Sequence, residues 1–191
     1  MKIDASVFKA YDIRGEYPTQ INEEFSYRLG QAFAEMMKRE VKKDKIELVV
    51  SQDMRLSSPA LAEKLKQGMI DQGVNVIDIG LASTPTFYFA VSKYYYDGGI
   101  QISASHNPAR DNGFKVVRAE AVPVSGETGI MDLRDEVVKK EFSTVEEKGT
   151  ITAKDGVIDE HVEYALTHLY SEKIKPFKVV IDSANSMGGP M

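Results

Sequence analysis

The 191-residue chain contains no cysteine and no tryptophan, and only three histidines. Without cysteine there is no disulfide framework and no thiolate metal site, a composition that suits a reducing cytoplasm. No apolar run in the sequence approaches the roughly 20 residues that span a bilayer. The opening Met-Lys-Ile-Asp-Ala-Ser has no apolar signal core. A cytoplasmic location without a membrane partner is therefore expected. The net charge of -5, with no basic stripe, argues against nucleic acid as a partner. What remains is 42% hydrophobic and 28% charged residues, an ordinary globular composition. The length accommodates one large domain, or one domain and part of another. No internal repeat or low-complexity segment is present.

The most informative stretch runs from residue 98 to 117. Ile100 and Ile102 alternate with polar residues and predict a short buried strand. The strand leads into Ala104-Ser105-His106-Asn107-Pro108, a polar loop closed by a proline. Arg110-Asp111-Asn112-Gly113 carries a turn signal, and β character resumes at residues 114–117. A serine is thus presented on a loop between two strands, with a histidine beside it and Lys115 on the return strand. Rigid scaffolds commonly display reactive groups on such loops. By itself, however, a serine in a loop is usually a turn former or cap, and Ser103 lies two residues away.

Along the rest of the chain, residues 7–15 predict an opening strand followed by a turn at Arg14-Gly15. Phe25, Leu29, Ala32, Phe33, Met36 and Met37 recur at helical spacing and predict a helix from 22 to about 39, with Glu23 and Glu24 in its first turn. Residues 46–50 predict a buried strand. Asp53 and Arg55 then read as a loop ion pair, worth little where exposed. Ser57 and Ser58 before Pro59 read as helix-start residues, with Gly73 ending that helix. A strand follows at 74–79, then a helix opened by Thr84 as cap and Pro85. Its aromatic residues read as core, because a base-stacking platform would interleave Arg and Lys. Alternating strands and helices predict a parallel α/β unit with helices on both faces and its loops gathered at one sheet edge. Beyond residue 117 the expectations are an edge segment at 122–124 and a helix from about 130 to 141. A polar domain boundary at 143–156, a helix capped by Asp159 and a strand at 177–181 follow. His161 and His168 are seven apart, a poor spacing for a helical metal pair, and read as solvated.

Ser103-Ala104-Ser105-His106-Asn107-Pro108, followed by Asp111-Asn112-Gly113-Phe114-Lys115, resembles the phosphoserine loop of the alpha-D-phosphohexomutases, the family of phosphomannomutase and phosphoglucomutase. Three further segments match that family in the same order. They are Phe-Lys-Ala-Tyr-Asp-Ile-Arg-Gly at 8–15, Asp-Met-Arg-Leu-Ser-Ser-Pro at 53–59, and Thr84-Pro85-Thr86. The resemblance covers essentially the whole chain. It implies a three-layer α/β/α domain with a mostly parallel sheet, followed by a partial second α/β domain. On this reading residues 1–150 are the phosphoserine domain, and 151–191 are a linker and the truncated start of the second.

The implied activity is interconversion of hexose 1-phosphate and hexose 6-phosphate, of mannose or glucose, through a phosphoserine and a bisphosphorylated sugar. A hexose 1,6-bisphosphate is the implied activator. Ser105 is the implied phosphoryl carrier, picked over Ser103 by the Ser-His-Asn-Pro match. Through its phosphate Ser105 is also one ligand of Mg²⁺, an ion that favours oxygen-rich, phosphate-bearing sites. Arg14 is implied to face the phosphate, Lys115 to act as general acid/base, and His106 and Asn107 to orient the loop or substrate. Arg55 and Ser58 are implied to line the active-site side. The chain departs from the family at Gln52, where many relatives carry a basic residue. It also lacks the family's Asp-Gly-Asp-Gly-Asp-Arg metal loop. The remaining Mg²⁺ ligands and mutase domains are therefore expected elsewhere, in cis or in trans. The alternative is a catalytically incomplete phosphate-accepting or interaction domain that needs those domains or a partner chain.

Overall fold

The structure, a computed structural model, describes residues 3–143, 145–169, 175–184 and 186–190. Its elements in chain order are β1 (Ile13–Glu16), α1 (Glu23–Val41), β2 (Glu47–Gln52), α2 (Ser58–Ile70), β3 (Asn75–Leu81), α3 (Thr84–Lys93) and β4 (Gly98–Ile102). They continue with β5 (Asp111–Arg118), α4 (Ile130–Lys139), β6 (Ile151–Ala153) and α5 (Val157–Leu166). One sheet contains all six strands in the order β1-β5-β4-β2-β3-β6. The pairings β2–β3, β2–β4 and β3–β6 are parallel, while β5 runs antiparallel to both β4 and β1. The expected α/β fold is thus a mixed sheet with helices on both sides. Among the described residues no helix is long and apolar enough to cross a membrane.

Helical periodicity explains α1. Asn22 caps it by accepting the Phe25 amide at 3.0 Å, and the six predicted apolar residues are buried. Helices α1, α2 and α4 cover one face of the sheet over an apolar core that includes Phe25, Leu48, Leu61, Ile100 and Phe114. Phe25 packs between Phe8 and Phe114 in tilted ring contacts, with centroids 5.7 and 5.8 Å away. Each fully buried side chain of this kind contributes roughly 1.5–3 kcal/mol. α1 and α2 touch backbone to backbone. A Cβ added at Gly30 would lie 2.2 Å from the Leu65 carbonyl oxygen, and one at Gly68 would lie 2.1 Å from that of Tyr27.

The opposite face carries α3 and α5 around Val49, Phe87, Val91 and Val117. Side chains alternate along a strand. Phe114 and Val116 therefore point to the α1 side, while Lys115 and Val117 point to the α3 side. Arg14, paired with Gly113, shares that second face, and Ile13 belongs to the first.

Several local expectations are corrected. Arg14 and Gly15 lie inside β1 rather than in a turn, and β5 begins at Asp111, inside the predicted turn. Both shifts have one cause, the β1–β5 ladder, which pairs Glu16 with Asp111 and Gly15 with Asn112. The cap of α3 is Ser83, whose hydroxyl accepts the Thr86 amide, with Thr84 as the first helical residue. α5 starts after Gly156, so Asp159 sits in its first turn and Leu169 lies beyond its end. No strand is expected at 151–153, yet β6 forms there and pairs with β3. His161 is not simply solvated. It stacks on Phe89 at 4.9 Å, and its Nδ1 lies 3.1 Å from Thr86 Oγ1. At 177–181 no strand forms, and Phe177, Val179, Val180 and Ile181 are all exposed.

Candidate active site

The carboxyl ends of β2, β3 and β4 open on one edge of the sheet, where α/β folds place their ligands. The start of β5 and the end of β1 reach the same edge, because Glu16 pairs with Asp111. Residues 103–110, between β4 and β5, project from it. Ser105 is exposed at the tip and adopts a left-handed backbone, φ +53°. A non-glycine residue there is uncommon, and such conformations cluster at functional sites. The buried Ser103 hydroxyl holds the turn by accepting the Ser105 amide at 3.0 Å, and the Asn107 amide bonds the Ala104 carbonyl at 3.0 Å. Ser105 Oγ lies 3.4 Å from His106 Nδ1.

Arg55 secures this loop from below. Its Nη1 donates to the carbonyls of Pro108 (2.7 Å) and Asp111 (2.9 Å), and its Nη2 to those of Ser105 (3.0 Å) and Asn107 (2.6 Å). A planar guanidinium fork suits such multiple bonding. Asp53 fixes the arginine in turn, with Oδ2 3.4 Å from Nε and Oδ1 accepting both the Arg55 amide (3.0 Å) and the Ser58 hydroxyl (2.7 Å). The pair expected to be an exposed loop contact is therefore largely buried, with side-chain exposures of 14% and 10%. Ser57 makes no side-chain cap bond. Instead, the fully buried Asn112 on β5 donates to Ser57 Oγ (2.8 Å) and Ser58 Oγ (3.0 Å). Buried polar networks satisfied this way rigidify what they join.

From the β1 side, Arg14 Nη1 donates to Asn107 Oδ1 at 2.9 Å and Nε to Asp12 Oδ2 at 2.6 Å. The ammonium of Lys115 lies 4.0 Å from that same Asp12 oxygen. Tyr88 of α3 completes the wall, its phenol pushed above the usual range by burial first and then by the charge of Asp12. Of the residues predicted for the site, Ser105, His106 and Asn107 share the loop tip. Arg14 touches that loop, Lys115 joins Arg14 through Asp12, and Arg55 and Ser58 form the support beneath. Asp12 and Asn112 have no role assigned from sequence, and Asp53 reads there only as the ion-pair partner of Arg55. The available signals were an acid two residues before Arg14, and an asparagine in a strand whose other residues are apolar or paired. Among the described residues no three His, Asp or Glu side chains gather as a metal nest.

Comparison with known proteins bears on the family and the fold. Residues 5–144 match the sequence profile of phosphoglucomutase/phosphomannomutase, alpha/beta/alpha domain I. A phosphomannomutase of Vibrio cholerae is 41% identical over 186 residues, 97% of this chain and 40% of that one. A Klebsiella pneumoniae phosphomannomutase is also 41% identical, over 82% of this chain and 96% of its own sequence. A crystal structure of a phosphoglucomutase/phosphomannomutase family protein from Burkholderia thailandensis superposes with a TM-score of 0.79 at 31% identity, covering 90% of this chain and 37% of that one. The chain thus spans about 40% of the length of the Vibrio cholerae and Escherichia coli phosphomannomutases it matches. With its phosphate-loop motif, sheet and helices all in agreement, the chain belongs to the phosphoglucomutase/phosphomannomutase family.

Proposed function

We propose that this chain is the phosphoryl-carrying part of a phosphohexomutase that interconverts hexose 1- and 6-phosphates, with Ser105 as the carrier. The observation that carries the reading is an exposed hydroxyl, on a left-handed residue, in a loop fixed by two arginines. In the loading step, Ser105 Oγ bonds the phosphorus of a hexose bisphosphate and the bond from phosphorus to the sugar oxygen breaks. The serine proton leaves to a base, and Lys115 supplies a proton to the departing sugar oxygen. Phosphoryl transfer depends mainly on positioning and charge stabilisation. Arg14 suits the second task. Two of its nitrogens are held, and Nη2 has no partner among the described residues. Asn107 and His106 orient the loop, while Arg55 and Ser58 keep its base in place. We assign the division into residues 1–150 and 151–191, and a cytoplasmic location, to the same proposal.

Mg²⁺ would supply charge neutralisation at the phosphoserine, but its other ligands and the sugar-recognising segments belong to further domains, in cis or in trans. The catalytically incomplete reading is favoured for the 191 residues alone, because they fill about 40% of the length of several relatives. Incubation of the chain with glucose 1,6-bisphosphate, followed by intact-mass analysis and a mutase assay, tests both statements. We expect uptake of one phosphoryl group, lost in Ser105→Ala, with no sustained turnover. Robust turnover by the chain alone would refute incompleteness, and absence of uptake would refute the carrier assignment.

A further inference from the structure

We propose that Asp12 is the positioning residue of this site, one carboxylate that ties the phosphate-facing arginine to the acid/base lysine. The inference rests on the roles given above to Arg14 and Lys115. One oxygen, Asp12 Oδ2, accepts from Arg14 Nε at 2.6 Å and stands 4.0 Å from Lys115 Nζ. All three side chains are only partly exposed, at 14% for Asp12, 25% for Arg14 and 23% for Lys115, so their attraction is screened less than at an open surface. Asp12 immediately precedes β1, and the β1–β5 ladder pairs Ile13 with Phe114. The strand register therefore sets Asp12 opposite Lys115, while Arg14 extends toward the Ser105 loop.

Two cations brought this close without an anion would repel each other. Asp12 removes that repulsion and leaves the cluster with one net positive charge for an incoming phosphate. The groups facing Lys115 are few. Asp12 and Arg14 approach from the β1 side, Tyr88 of α3 lies within the field of Asp12, and on β4 the cross-strand neighbour is the neutral, buried Gln101. Among the described residues Asp12 is the sole ion-pair partner of Lys115. Asp12 thereby holds Lys115 at a fixed place beside Arg14.

The test is competitive acylation of the whole chain with trace acetic anhydride at one fixed pH, read by peptide mass spectrometry at Lys115 against the exposed Lys64. In Asp12→Asn the lysine loses its tether, and we expect Lys115 to be labelled several-fold faster relative to Lys64, with Asp12→Glu restoring the wild-type ratio. An unchanged ratio in folded Asp12→Asn overturns the proposal. Should that variant fail to fold, the wild-type chain still decides. Salt weakens an ion pair, so raising it to about 1 M should raise the ratio of Lys115 to Lys64 labelling, and an unmoved ratio overturns the proposal. Phosphate uptake at Ser105 is a separate readout. Its failure would sink the functional reading while leaving the lysine labelling to judge Asp12.

Discussion

The two faces of the sheet do different work. Under α1, α2 and α4 the sheet packs on the larger apolar cluster, polar ties such as Ser26 Oγ to the Leu61 carbonyl run from helix to helix, and the two longest helices meet backbone to backbone at Gly30 and Gly68. Under α3 and α5 the apolar cluster is smaller and is edged by polar tethers. Tyr94 donates to Glu160 at 2.5 Å, Lys154 sits 4.0 Å over the Tyr94 ring, and His161 meets Thr86. Arg14 and Lys115 project from this second face. The difference teaches that one side supplies most of the burial that holds the sheet, which frees the other to spend strand positions on charged residues. The bulk of the burial and the proposed chemistry are separated by the period-two alternation of β1 and β5.

The sharpest way to break that division is to wedge the helix contact on the apolar side. Gly68→Ala would place its Cβ against the Tyr27 carbonyl, which is backbone and has little room to yield. We expect a loss of about 3 kcal/mol, seen in urea melts, with Ser105 still accepting phosphate in the fraction that remains folded. A smaller effect is expected on the site edge. Arg55→Ala removes four charge-assisted bonds to loop carbonyls, though water can replace some of them, so about 2 kcal/mol is expected. Hydrogen exchange would show amides 105–113 losing protection while α1 keeps its own. Loss of protection spread evenly over the sheet would contradict the separation.

The smallest effect concerns the end of α2, where the apolar face meets the segment leading to β6. Asp71 accepts bonds from Tyr27 (2.8 Å) and Gln67 (3.0 Å) and pairs with Lys148 at 2.6 Å. Burial pushes its carboxyl up, but Lys148, Tyr27 and Gln67 together outweigh that and hold it below its ordinary value of 3.8. A depressed carboxylate contributes stability that is complete above its unfolded value and is lost as pH falls through the lower folded one. Acid melts below about pH 4 should therefore steepen in the wild type and flatten in Asp71→Asn. An identical acid limb in both would remove Asp71 from the account.

Much of this was legible in the sequence because it is local. Apolar spacing marks α1, the alternation at Ile100 and Ile102 marks β4, and the Ser-His-Asn-Pro loop marks the site. What escaped depends on partners far along the chain. Asp111-Asn112-Gly113 reads locally as a turn, yet it becomes strand because β1, about a hundred residues earlier, pairs with it. Arg55 reads as a surface charge, and only the returning loop supplies the four carbonyls that bury it. Asp12 shows locally only as an acid two residues before Arg14, since its second partner, Lys115, lies on another strand. Residues 177–181 err in the opposite direction. They carry a β-like apolar run, but no ladder among the described residues completes it.

The most direct test of the central claim is tandem mass mapping of the phosphate on the peptide spanning residues 98–117, after exposure of the chain to a hexose 1,6-bisphosphate. The account predicts a single phosphoserine at Ser105, retained in Ser103→Ala. Phosphate on Ser103, or persistence of the label in Ser105→Ala, would contradict it.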